Sequence, residues 1–210
     1  MKRLLAPILL LTLLFPTLAF GETVKWDDLV KRDGIYYKTF STVPFTGKVT
    51  GLSQGTFKDG ERDSAWVNYF DNGQLWSKGT YKDRKKDGPW VQHYDNGQLR
   101  SQGNYRNGNW DGFWVRYWSS GQLLSKGTYK DGKKDGPWIM YHGTGQLWRK
   151  GTYKDVKNHG PWVRYWENGQ LWDKGTYKNG KMVGPWVSYW KDGTVMKEYT
   201  GTFKNGVKVD

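Results

Sequence analysis

Gly127-Thr-Tyr-Lys-Asp-Gly-Lys-Lys-Asp-Gly-Pro-Trp-Ile-Met-Tyr141 is the stretch whose reading decides the fold, because it recurs at a fixed period. Its tryptophan has counterparts at Trp66, Trp90, Trp114, Trp162 and Trp186, a constant step of 24 residues. The glycine that opens it has counterparts at Gly55, Gly79, Gly103, Gly151 and Gly175. A final copy at Gly201 comes two residues late, after a small insertion beyond Gly193. Self-similarity at such a period means that each unit is one supersecondary element, which buries its apolar face only against its neighbours.

Two strand candidates fill each unit. Pro89-Trp-Val-Gln-His-Tyr94 is short and rich in aromatic and β-branched residues, as strands prefer. Asn96-Gly97 follows, a hairpin signal repeated at Asn72-Gly73 and Asn168-Gly169. A longer second strand, such as Gln170 to Lys178, ends in Asn179-Gly180-Lys181. No segment beyond Val49 shows a helical period. The expectation is all-β: an elongated, single-layer antiparallel meander of stacked hairpins.

A two-residue Asn96-Gly97 turn would pair Tyr94 with Leu99, Gln92 with Ser101 and Trp90 with Gly103. One face would then carry Trp90, Tyr94, Leu99, Gly103 and Tyr105, each tryptophan lying over a glycine that leaves room for its ring. The other face would carry Val91, His93, Arg100 and Gln102. On that outer face Trp76, Leu124, Trp148, Trp172 and Met196 would share one column, broken by Arg100, beside a column of Lys78, Lys126, Lys150 and Lys174. An aromatic stripe beside a lysine stripe suits stacking on sugars or seating at a lipid headgroup layer. The plainer reading is that lysine stems shield the rings.

The recurring Asp-Gly-Pro-Trp, Asn-Gly-Gln-Leu and Gly-Thr-Tyr-Lys elements resemble the variant MORN repeat of bacteria, from about Gly47 to Val207. The resemblance implies the same elongated meander and a place in a large bacterial group labelled YwqK-type antitoxins. Local departures are Ser64-Ala65 for Gly-Pro, Phe113 for proline, and Asp192-Gly193-Thr194-Val195 at the end of the pattern.

Outside the repeats, Met1-Lys2-Arg3, an apolar run from Leu4 to Leu18, and Ala19 and Gly21 at small-residue positions read as a secretory signal peptide cut after Gly21. The expected organisation is a signal at 1–21, an N-terminal segment and capping hairpin at 22–51, and the repeat array at 52–210. In the cap, Trp26, Leu29 and Val30 suit one or two helical turns, and Ile35–Lys38 and Pro44–Val49 suit the hairpin. The expected place is periplasmic or secreted. With no cysteine in the chain, disulfides, thiol chemistry, cysteine metal sites and lipoprotein attachment are excluded.

The net charge is +13, with 33 basic residues against 20 acidic ones. Such a balance favours an acidic partner: a protein, an anionic lipid or a polyanionic glycan. The export signal argues against nucleic acid.

Catalytic chemistry finds no support. His93, His142 and His159 occupy different columns of the repeat, and no serine elbow is present. Asp63, Asp87, Asp111 and Asp135 form one ladder, and Asp59, Asp83, Asp131 and Asp155 another. Calcium is one use for such ladders, but tight turns select aspartate for its own hydrogen bonding. The reading is therefore a non-enzymatic interaction scaffold with no cofactor, no metal and a protein partner. The alternatives are an envelope binder of anionic lipid or glycan, and an antitoxin-like neutralising protein.

Overall fold

The computed structural model describes residues 21–210, so all of the proposed signal peptide except Gly21 lies outside the described residues. The chain opens with β1 (Glu22–Lys25), a 3-10 turn (Trp26–Asp28), β2 (Leu29–Arg32), β3 (Ile35–Lys38) and β4 (Gly47–Thr50). Next come β5 (Ser53–Lys58), β6 (Glu61–Tyr69), β7 (Leu75–Lys82), β8 (Lys85–His93), β9 (Leu99–Arg106) and β10 (Asn109–Tyr117). The array continues through β11 (Leu123–Lys130), β12 (Lys133–Tyr141), β13 (Leu147–Lys154) and β14 (Lys157–Tyr165). It ends with β15 (Leu171–Lys178), β16 (Lys181–Ser188), β17 (Gly201–Lys204) and β18 (Val207–Lys208). From β4 to β18 every strand pairs with its sequence neighbours, giving one long antiparallel sheet that does not close.

The two hairpin ends use different turns. Asp131-Gly132 and Asn179-Gly180 have positive φ at both residues and join directly paired residues, Lys130 with Lys133 and Lys178 with Lys181. These are two-residue type I′ turns, whose twist matches the strands. Asp83-Arg84 and Asp155-Val156 adopt the same left-handed pair without glycine.

At the other end the structure corrects the expected two-residue Asn-Gly turn. Tyr94 N donates to Gln98 O at 2.8 Å and Gly97 N donates to Tyr94 O at 3.0 Å. The loop therefore has three residues, with Gly97 supplying the left-handed position that ends it. His93, not Tyr94, pairs with Leu99. A bulge at Arg100 then cancels the one-residue slip, so Gln92–Ser101 and Trp90–Gly103 pair as expected.

The six repeat tryptophans are buried and form the centre of the core. Each ring lies over a glycine, but over the one on the preceding strand rather than the expected one on the following strand. A Cβ on Gly79 would overlap the Trp90 indole, and one on Gly127 would overlap Trp138. Each indole N–H donates to a carbonyl ten residues earlier, such as Trp90 to Thr80 at 3.1 Å and Trp138 to Thr128 at 3.0 Å. Ring edges meet the tyrosine column: Tyr129 and Trp138 centroids lie 5.0 Å apart at 90°. Burial thus comes with a satisfied polar atom and an edge-to-face contact in every unit.

The N-terminal cap differs from the expected hairpin. β3 pairs with β2, β1 lies parallel to β4, and Pro44 makes only a single bridge to Tyr37. Trp26 sits 6.3 Å from Trp66 with an edge-on ring, and Tyr36 lies 4.8 Å from Phe57. These rings cover the first tryptophan, which has no preceding repeat.

Candidate functional site

The sheet has two unlike faces. On the tryptophan face cations lie over rings: Lys134 Nζ is 4.5 Å from the Trp138 centroid and 5.1 Å from that of Tyr153. Burial lowers the pKa of Lys134, and the positive charges of Arg149 and Arg116 lower it further. Burial pushes the Tyr129 hydroxyl up to about 12. Arg164 and the buried Asp173 form an ion pair, with Nε donating at 2.8 Å. Burial opposes the Arg164 charge, but the hydrogen bond and charge of Asp173 outweigh it and raise the pKa.

The structure moves Trp148 and Trp172 to this face, against the expected outer stripe. Each stands at the bulge that cancels the loop slip, and a bulged residue shares the side of the one after it. Trp172 stacks on Trp166 at 4.5 Å with the Arg164 guanidinium 4.3 Å away. Trp148 lies beside His142 at 5.9 Å and under Arg149 at 4.4 Å. Trp76, at the same bulge, packs on Phe70 at 6.0 Å and stays 43% exposed. These rings lock hairpin ends. Trp166 Nε1 also donates to Tyr189 O at 2.9 Å, and Asn96 Nδ2 to Ser119 O at 2.9 Å, tying each end to the next repeat.

The lysine column faces the other way. Val67, Lys78, Val91, Gln102, Val115, Lys126, Ile139, Lys150, Val163, Lys174 and Val187 pair in succession, strand to strand, as one unbroken row across β6–β16. Two positions along the strands lies a second row in which proline and threonine alternate, Pro137–Thr152 and Pro161–Thr176 among its pairs. Between the rows run two shallow grooves. One, of about 760 Å³, crosses β12–β16 and is lined by Ile139, Lys150, Val163, Lys174 and their proline and threonine neighbours. The other, of about 640 Å³, crosses β6–β10 and includes Lys78. Phe113, 58% exposed in place of proline, stands at the inner end of the second groove.

Of the stripe expected from the sequence, then, Lys78, Lys150 and Lys174 line grooves and Lys126 lies in the same row, while Trp76, Trp148 and Trp172 belong to the hairpin ends. The β-branched residue after every tryptophan is the signal that marks this face. His93 and His159 each bury Nδ1 without a hydrogen-bond partner, on separate strands. Among the described residues no three His, Asp or Glu side chains converge.

A family profile for the MORN repeat variant matches residues 62–83, 86–107, 111–131, 134–155 and 158–179, just over half of the chain. The chain belongs to the MORN repeat variant family. No curated protein matches it. Each matched MORN unit holds one repeat tryptophan and one glycine that the tryptophan of the following unit covers, so every boundary between units is itself a packing contact. The match does not distinguish an antitoxin from any other MORN repeat protein.

Proposed function

We propose that this MORN repeat protein is an exported, non-enzymatic scaffold that binds an acidic protein partner along its grooved face. The observation that carries the reading is the unbroken row of β-branched residues and lysines, which leaves apolar surface and positive charge side by side. The repeat tryptophans are buried with their N–H groups bonded, whereas the grooved face keeps half-buried valines beside exposed prolines and lysines. Export is supported by the basic start and the apolar run from Leu4 to Leu18. The charge of +13 suits an acidic partner.

The test is binding of acidic envelope proteins to the parent and to a Lys150→Gln/Lys174→Gln variant, with anionic vesicles and cell-wall polysaccharide as parallel arms. The reading expects a protein to be retained by the parent and lost by the variant. Retention of vesicles or polysaccharide alone, with the same loss, would replace the protein partner by the second reading. Equal retention by both proteins would remove the groove from the account. For export, the native protein should begin at or near Glu22, and an intact Met1 would contradict it.

A further inference from the structure

Resting on that reading, we propose that the occupant of the groove is an acidic segment in the polyproline II conformation, carrying a carboxylate at every third residue. The groove runs across the strands, so its occupant meets the repeat rather than a single strand. Equivalent side chains of successive units, such as Lys150 and Lys174, stand two strands apart. At about 4.7–4.9 Å per strand, that is a step of about 9.4–9.8 Å.

Few polypeptide conformations keep such a step. A polyproline II helix advances about 3.1 Å per residue with three residues per turn, so positions i and i+3 face the same way about 9.3 Å apart. A β-strand repeats its faces every two residues, at about 6.4–6.8 Å, and falls out of step after one unit. An α-helix is about 10–12 Å across, too broad to seat between two adjacent side-chain rows of one sheet. From β12 to β16 the groove spans about 19 Å, room for about six polyproline II residues.

Charge sets the chemistry of the third position. Among the described residues no acidic side chain lines the groove, and Lys150 and Lys174 are exposed within it. A carboxylate at i would meet one lysine and a carboxylate at i+3 the next. The intervening residues would lie over Val163 and Pro161, and Val187 and Pro185, which favours small apolar groups such as proline. Polyproline II has no internal hydrogen bonds, so its carbonyls are free for the hydroxyls of Thr152 and Thr176, which line the same groove. The second groove offers Lys78 but Gln102 and Asn104 at the next step, and should hold the same segment less tightly.

The experiment is fluorescence anisotropy of labelled peptides with the purified protein. A Pro-Pro-Glu repeat peptide is compared with a Pro-Pro-Gln repeat and with a strand-forming Thr-Glu repeat of equal charge. Pro-Pro-Glu should bind about tenfold or more tightly than either, weaken as salt rises, and lose about tenfold with Lys150→Gln/Lys174→Gln. Circular dichroism of the variant confirms that the sheet is intact. Equal affinity for Thr-Glu, with the same dependence on the lysines, would overturn the spacing while leaving the groove as the binding face. Pro-Pro-Glu binding that ignores the lysines, or no binding of any peptide, would overturn the proposal outright.

Discussion

The tryptophan face and the grooved face belong to the same strands and differ in what remains for a partner. On the first, an indole covers a glycine, donates its N–H to a carbonyl and meets a tyrosine edge, unit after unit. On the second, the residues one position along are mostly β-branched, proline, threonine or lysine, with Gln102, Asn104 and Phe113 among the exceptions, and none of the described residues lies over them as a second layer. Alternation puts stability on one side of a single layer and leaves the other side free to vary. A single sheet can therefore be stable and still offer a face.

The largest effect should come from removing the covered side. Trp138→Ala is expected to cost about 3–5 kcal/mol in denaturant unfolding. A loss below about 1 kcal/mol would mean that neighbouring repeats do not depend on the ring.

Alkali should weaken the same face. Below pH 10 the Tyr129 phenol is protonated whether folded or not. Between 10 and about 12 the unfolded chain ionises while the folded one holds its proton, so stability falls. That shift amounts to about 2–3 kcal/mol, and Tyr129→Phe should flatten the decline. Lys134 acts with the opposite sign: its lowered pKa means stability rises as pH passes from that value to 10.5. Unchanged alkaline curves in Tyr129→Phe would remove the phenol from the account.

Asp173→Ala leaves the Arg164 guanidinium without its carboxylate and should cost about 1.5–3 kcal/mol, the range for a hydrogen bond to a charged group. Trp148→Ala should cost less than Trp138→Ala, about 1–2 kcal/mol, because it removes a half-buried ring from a hairpin end. Equal losses for the two would mean that hairpin ends and core carry the same load.

Much of this division was legible in the sequence. The period, the antiparallel meander and the pairing of Trp90 with Gly103 follow from the 24-residue step and the glycine inside each second strand. Loop length did not follow. Asn-Gly serves both a two-residue turn and the left-handed end of a three-residue one, and a bulge three residues after the glycine hides the difference. The bulged residue is the one whose side changes, which is why Trp148 and Trp172 leave the expected stripe while Lys150 and Lys174 keep their place in it. The groove is hard to read for another reason: a β-branched residue after each tryptophan is also what any strand would hold. The parallel pairing of β1 with β4 joins segments with no repeat to announce it.

The most direct measurement is a lysine acetylation footprint of the protein with and without the Pro-Pro-Glu peptide, read by mass spectrometry. If the grooved face is the binding face, Lys150 and Lys174 lose reactivity, while Lys157 and Lys181, exposed at the turns of the same sheet, keep theirs. Protection of Lys157 and Lys181 with Lys150 and Lys174 still reactive would contradict the account and move binding to the hairpin ends.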